Sequence, residues 1–242
     1  MVDDAHRGWP LPNRPWVMRQ VWNDLLFMHW PIAQDVMREL VPPALPLDTF
    51  DGQAWIGVVP FWMSGVRARG VPPLPGLSRF PELNVRTYVT LDGKPGVYFF
   101  SLDASNRPAV AAASWYGLPY FRARMSVRQQ DGWFVYSSQR RHMGAPRASL
   151  RMRYRPTGPV LPVVEESIDR WLTERYCLYI VDDRGQPYRL EIAHPPWPLQ
   201  PAEAEIEANS MTTQLELHLP DVQPLLHFSK RQDVRIWTKR AV

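Results

Sequence analysis

Two hydrophobic periods divide the chain. Over the first fifty residues, apolar positions recur at helical spacing. In VMRQVWNDLLFMHW, residues Val17, Val21, Leu25, Leu26 and His29 fall near one stripe at 3.6-residue spacing. This predicts a helix, interrupted at Pro31. PIAQDVMRELVPP predicts a second helix, with Pro in its first turn and a stop at Pro42. From Gln53 the period becomes two. QAWIGVVPFWM reads as a strand, and RGVPPLPGLSRFP as a stiff Pro/Gly-rich loop. ELNVRTY and VYFFSLD then alternate on either side of LDGKPG. Asp-Gly between alternating runs predicts a hairpin.

The same reading continues to the C-terminus. PAVAAASWYG is Ala-rich and predicts a short helix ending at Gly117. A second hairpin turns at Asp131-Gly132, and ASLRMRYRP follows as a strand. VEESIDRWLTERY reads as a helix. CLYIVDDRGQPYRLEIAH forms a third hairpin at Arg184-Gly185. AEAEIEAN suits strand by its alternating glutamates and helix by its composition. DVRIWTK reads as a last strand. The order gives a mainly β (α+β) protein, a single-domain closed antiparallel β barrel or strongly curved sheet with N-terminal helices. Residues 1–242 are expected to form one domain, with 1–50 as a helical segment against it. In larger barrels one face of each strand can line a cavity.

Composition changes this picture in a few places. At 242 residues, 45% hydrophobic and 12% aromatic, the chain is ample for a folded core. The formal net charge is +4, but only Lys94, Lys230 and Lys239 are lysines among 28 basic residues. No Lys/Arg-rich run and no nucleic-acid motif appears, so no nucleic-acid partner is expected. A nucleic-acid-binding barrel is favoured by charge and aromatic content alone. The lone Cys177 sits in an apolar run and excludes an intramolecular disulfide. The N-terminus lacks a signal-peptide pattern, and no apolar run approaches a membrane span. A cytoplasmic protein without a membrane partner is expected.

Three stretches carry candidate chemistry. In ELNVRTY, Leu83, Val85 and Thr87 face one way; Glu82, Asn84, Arg86 and Tyr88 face the other. A solvated outer sheet face is the plain account of such a row. Lining a cavity, it would suit an organic acid: Arg forks onto carboxylates, and a buried Glu shuttles protons. In SWYGLPYF, Tyr116 and Tyr120 carry hydroxyls around a Gly-x-Pro turn. In LEIAHPPWPL, His194 closes a strand and titrates near neutrality. Glu174 and Arg175 read as a salt-bridging pair of positions. Arg151, Arg153 and Arg155 form a cation stripe, either solvated or selecting an anion. The histidines show no metal-ligand spacing, and no phosphate or dinucleotide loop is present, so no metal or cofactor is expected.

LLFMHWPI, LDTFDGQAWIGVVPFWM, FPELNVRTYV, GVYFFSLDA, YGLPYF, LTERYCLY and HPPWPLQ together resemble the YqjF-like family of unknown function, over roughly 22–209. That family lies within the acetoacetate decarboxylase-like superfamily. The resemblance implies a closed barrel or cone with an internal cavity, and a tendency to assemble as homo-oligomers. In the decarboxylases an acidic residue opens one cavity strand, and a Gly-x-Pro-Lys-Lys turn supplies a Schiff-base lysine. Glu82 resembles that acid. GLPYF resembles the turn, with Gly117 and Pro119 retained, but Tyr120 and Phe121 occupy the lysine positions. Neither forms an imine.

The expectation is therefore a small-molecule cavity protein for a compact, anionic or carbonyl-bearing compound. If catalytic, it is a lyase, hydratase or isomerase acting without an imine. Glu82, Tyr120 and His194 are the candidate catalytic groups. Asn84, Arg86, Tyr88 and Tyr116 are the candidate substrate contacts. A non-catalytic binding or sensing module would use the same cavity.

Overall fold

The computed structural model describes residues 6–106, 108, 110–111, 116–162 and 164–242. The predicted hairpins are present. Asp92 and Gly93 (φ 55° and 67°) and Asp131 and Gly132 (φ 49° and 80°) are left-handed, as tight turns between twisted strands require. They join β3 (Phe80–Leu91) to β4 (Lys94–Ala104), and β5 (Tyr120–Gln130) to β6 (Trp133–Arg140). The third hairpin joins β8 (Cys177–Val181) to β9 (Pro187–Ala193). The remaining strands are β1 (Met18–Ile32), β2 (Ala54–Ala68), β7 (Ser149–Pro156), β10 (Gln200–Asn209), β11 (Leu225–Ile236) and β12 (Arg240–Ala241). AEAEIEAN thus resolves as strand. The Ala-rich helix predicted before Gly117 falls largely outside the described residues.

The sheet closes on itself twice. Pairing of β9 with β11 joins β1–β4, β8, β9 and β11 into a ring of seven strands. Pairing of β4 with β5 joins β1–β7, β10 and β11 into a ring of nine. Most pairings are antiparallel, but β4 runs parallel to both β5 and β8. Strands β1–β4 and β11 belong to both rings. Their two faces therefore both look inward. Leu83 and Val85 join Met28, Val58, Tyr136, Leu150 and Phe228 in the main apolar core.

This double closure corrects one prediction. The first of the two N-terminal helices is absent, because 18–32 form strand β1. Residues 23–30 are all buried, so alternation is erased. Asp24 is left-handed (φ 47°), and the register against β2 shifts between Asn23 and Met28. A bulge there changes which side chains face inward, and the apolar positions mimic a helical period. Only the second predicted helix survives, as α1 (Gln34–Leu40). Later, α2 (Ile168–Thr173) starts at Ser167, whose hydroxyl accepts from the Arg170 amide, as an N-cap does. Its Leu172 carbonyl accepts from Arg86 of β3, and its Trp171 packs on Tyr88 of the same strand. Among the described residues, no helix is long and apolar enough to cross a membrane.

Candidate functional site

Residues 82–89 of β3 are buried without a break. The row Glu82, Asn84, Arg86 and Tyr88 is therefore an interior row, not an outer face. Its neighbours are fixed by register. Phe61, Val59 and Gly57 of β2 lie opposite Glu82, Asn84 and Arg86. On β4, Ala104, Leu102 and Phe99 flank the same three residues. Phe27 and Trp197 complete an apolar wall, with ring centroids 4.9 Å apart.

At one end, the Tyr120 hydroxyl donates to Glu82 Oε2 at 2.7 Å. The parallel joint makes this contact, since Tyr120 pairs with Leu102. Burial pushes the Glu82 carboxyl up to about 8, against the lowering effect of the Tyr120 bond. Nearby Asp103 adds to the rise. Glu82 is thus mostly neutral at pH 7, and the Tyr120 bond to Oε2 places the acidic proton on Oε1. Asp103 points to the other face and is held by Arg140, with contacts of 2.8 and 2.6 Å.

At the other end, Arg86 lies 5.1 Å above the Phe27 ring. Its Nη2 donates to the Leu172 carbonyl at 3.3 Å and to the Tyr88 hydroxyl at 3.4 Å. Among the described residues, no carboxylate pairs with it. The Tyr88 hydroxyl lies 2.6 Å from His29 Nε2. Arg175 lies against both the Tyr88 and Trp171 rings, at 4.9 and 4.4 Å, with the two rings themselves 4.9 Å apart, and pairs with Asp48 at 2.6 Å. Arg175 and Trp171 also line an open groove of about 560 Å³ with Trp9, Phe50 and Tyr176. Arg175 and Trp171 therefore touch both that groove and Tyr88 of the buried row.

The buried polar atoms around this interior without a hydrogen-bond partner among the described residues include His29 Nδ1, Asn84 Oδ1, Arg86 Nε, Arg175 Nη2 and Trp197 Nε1. Native interiors rarely leave such groups unmet by protein, water or ligand.

The other sequence candidates are placed differently. Tyr116 is 40% exposed, and its carbonyl accepts from Lys239 at 2.8 Å. It does not join the row. His194 is buried, stacked on Tyr176 at 4.7 Å and 5.1 Å from Trp197. Burial lowers its pKa; its Nδ1 faces the Pro195 carbonyl and Gln232, and its Nε2 the Arg175 carbonyl. Trp197 stands between it and Phe27, so His194 lies behind the wall. The arginine stripe of β7 faces solvent. Arg151, Arg153 and Arg155 pair with Glu207, Glu205 and Glu203 of β10 at 3.0, 2.7 and 2.5 Å. The anion-selecting reading of that stripe is thereby replaced by a cross-strand ladder on the outside. Cys177 is buried, and burial pushes its thiol up to about 12, as an inert packing residue requires.

His29, Gly57, Arg175 and the Asp103–Arg140 pair were not legible as site residues. His29 read as one member of a helical stripe. The others become neighbours of the row only through strand register and the position of α2.

The architecture is that of the acetoacetate decarboxylase-like fold. The acetoacetate decarboxylase of Legionella pneumophila superposes with a TM-score of 0.64 at 12% identity, covering 99% of this chain and 93% of that one. The enduracididine biosynthesis enzyme MppR, complexed with pyruvate, gives 0.59 at 10% identity over 97% and 92%. Within that class, residues 19–233 match the DUF2071 family, described as an uncharacterized conserved protein, and the chain belongs to it. The uncharacterized protein YqjF of Bacillus subtilis (strain 168) is 47% identical over 231 residues, 95% of this chain and 94% of YqjF.

Proposed function

We propose that the seven-strand ring binds a compact organic acid bearing a carbonyl or unsaturation, and turns it over by proton transfer without an imine. The observation that carries this reading is Arg86: a buried guanidinium without a carboxylate partner, on the same strand face as a buried, mostly neutral acid. A buried unpaired cation is costly, and an anionic ligand offsets that cost. Glu82 and Arg86 are four residues apart on one strand, about 13 Å at ~3.3 Å per residue. A ligand carboxylate on Arg86 puts the next few carbons beside Asn84. A carbon chain long enough to span that distance brings its far end to the Glu82 Oε1 proton, while Asn84 orients the group that gains or loses charge and Tyr120 holds the Glu82 carboxyl. This is lyase, hydratase or isomerase chemistry. None of the three lysines supports a Schiff base there. Lys94 pairs with Glu191, Lys230 with Asp24, and Lys239 meets the Tyr116 carbonyl. That a neighbour of the same fold is complexed with pyruvate supports the class of ligand.

The test is calorimetric titration with short 2-oxo, 3-oxo and unsaturated acids, paired with NMR detection of solvent deuterium entering the ligand. Arg86→Gln is expected to weaken binding about 10- to 100-fold, the worth of a hydrogen bond to a charged group. Glu82→Gln is expected to keep binding and lose deuterium exchange. Binding without exchange by the wild type would make the protein a binding module. No binding by any acid would remove the reading altogether.

A further inference from the structure

Gly57 is not a turn residue. It lies mid-strand between His29 of β1 and Arg86 of β3. A Cβ there would stand 3.1 Å from His29 Cδ2, 3.2 Å from His29 Nε2 and 3.4 Å from Arg86 Cγ. The missing side chain lets the two cross the strand and meet. Both converge on one atom, the Tyr88 hydroxyl, 2.6 Å from His29 Nε2 and 3.4 Å from Arg86 Nη2.

The proton arrangement follows. Arg86 can only donate, so its contact with the Tyr88 oxygen consumes an acceptor site. The phenol has one proton, and His29 Nε2 is the only acceptor for it among the described residues. Tyr88 therefore donates, and Nε2 accepts. A neutral imidazole accepting at Nε2 carries its own proton on Nδ1. The groups facing it agree. Burial, then Arg86, then His227 hold His29 well below its ordinary pKa. His29 Nδ1–H and Arg86 Nε–H are then two buried donors without partners.

The local charges are also settled. Arg175 is paired with Asp48 at 2.6 Å, and His227 with Asp169 at 3.0 Å. Arg86 is left as the cluster's one cation without a carboxylate partner among the described residues. We propose that His29 is a ligand-binding residue: its unpartnered Nδ1–H, on the ring edge opposite the one that meets Gly57 and Tyr88, donates to a ligand whose carboxylate Arg86 holds, with Tyr88 locking the tautomer. This rests on the Arg86 reading above and adds to it a second donor and a preference for monocarboxylates over dianions.

The experiment uses the full chain with acetate and pyruvate as probes. Nitrogen-15 NMR of labelled His29 is expected to show protonated Nδ1 and bare Nε2 before any ligand is added. Either acid is expected to shift the Nδ1–H resonance. His29→Asn keeps an amide donor near the Nδ1 position and is expected to bind within about threefold of wild type. His29→Gln supplies its amide near Nε2 and is expected to lose about tenfold, one hydrogen bond. An Nε2–H tautomer overturns the inference without any variant having to fold. So does pyruvate binding that His29→Gln leaves unchanged, while the Arg86 reading stands. Loss with Arg86→Gln alone marks that second case; absence of any acid binding overturns both.

Discussion

The Tyr120 hydroxyl donates to Glu82 across the joint that closes the nine-strand ring. One bond thus ties barrel closure to the protonation of a buried acid.

The first consequence is a pH-dependent stability. Glu82 titrates at about 8 in the folded chain, against 4.5 for an ordinary glutamate. Between those values the folded state holds a proton that the unfolded state has released. Stability therefore falls as pH rises from about 4.5 to 8, by a few kcal/mol in total, and stays low above. Glu82→Gln is always neutral and keeps an acceptor for Tyr120. It is expected to match the wild type near pH 4 and to be more stable by a few kcal/mol at pH 9. Denaturant melts at the two values check this; an equal difference at both would mean an ordinary carboxyl.

Tyr120→Phe removes the donor that favours the Glu82 carboxylate. The Glu82 midpoint is expected to move further above 8, read by carbon-13 NMR of the labelled carboxyl. The cost should depend on pH. A bond to a neutral acid contributes about 0.5–1.5 kcal/mol, and one to a carboxylate about 1.5–3. A midpoint that falls in Tyr120→Phe would reverse the assigned donor.

Much of this architecture was readable in advance. Asp92-Gly93 and Asp131-Gly132 announced their hairpins because only a left-handed pair fits a tight turn between twisted strands. The row from Glu82 to Tyr88 was legible as a row, because one residue in two shares a face. Its burial was not, because an outer face and an interior polar face alternate alike. Strand β1 was misread because burial on both faces, plus the bulge at Asp24, removes the period of two. His29 was lost with it. Arg175 escaped as a neighbour of Tyr88 because their contact joins positions 88 and 175, far apart in sequence.

Arg140 and Asp103 are both fully enclosed, and Arg140 also stacks on Phe121 at 4.0 Å. Burial raises the Asp103 pKa even against Arg140, so the ion pair offsets a real desolvation cost. Arg140→Met leaves that carboxylate alone and is expected to destabilise the fold by about 3–5 kcal/mol at pH 7. Lowering the pH to about 5 should recover part of the loss, because the stranded acid takes a proton. The double variant with Asp103→Leu should recover most of it. Chemical denaturation of the single and double variants measures both, and a double variant as weak as the single would show that Arg140 acts through packing on Phe121.

The turn at Gly117 and Pro119 resembles one that supplies a Schiff-base lysine, so imine chemistry is directly testable here. A Schiff-base lysine must be near the carbonyl and partly unprotonated. Here the turn position holds Tyr120, whose phenol is already committed to Glu82. Lys94 lies 3.5 Å from the Glu191 carboxylate, and Lys230 2.6 Å from that of Asp24, so both amines are engaged away from the row. Lys239 is tied to the Tyr116 carbonyl at the surface. Incubation with pyruvate and cyanoborohydride is therefore expected to leave the intact mass unchanged at one equivalent of ligand. Peptide mapping should find no adduct at any of the three lysines above the level of a denatured control. A stoichiometric adduct on one lysine would place a working amine in the protein and overturn the imine-free mechanism, whereas deuterium exchange without an adduct would leave Glu82 as the group that moves the proton.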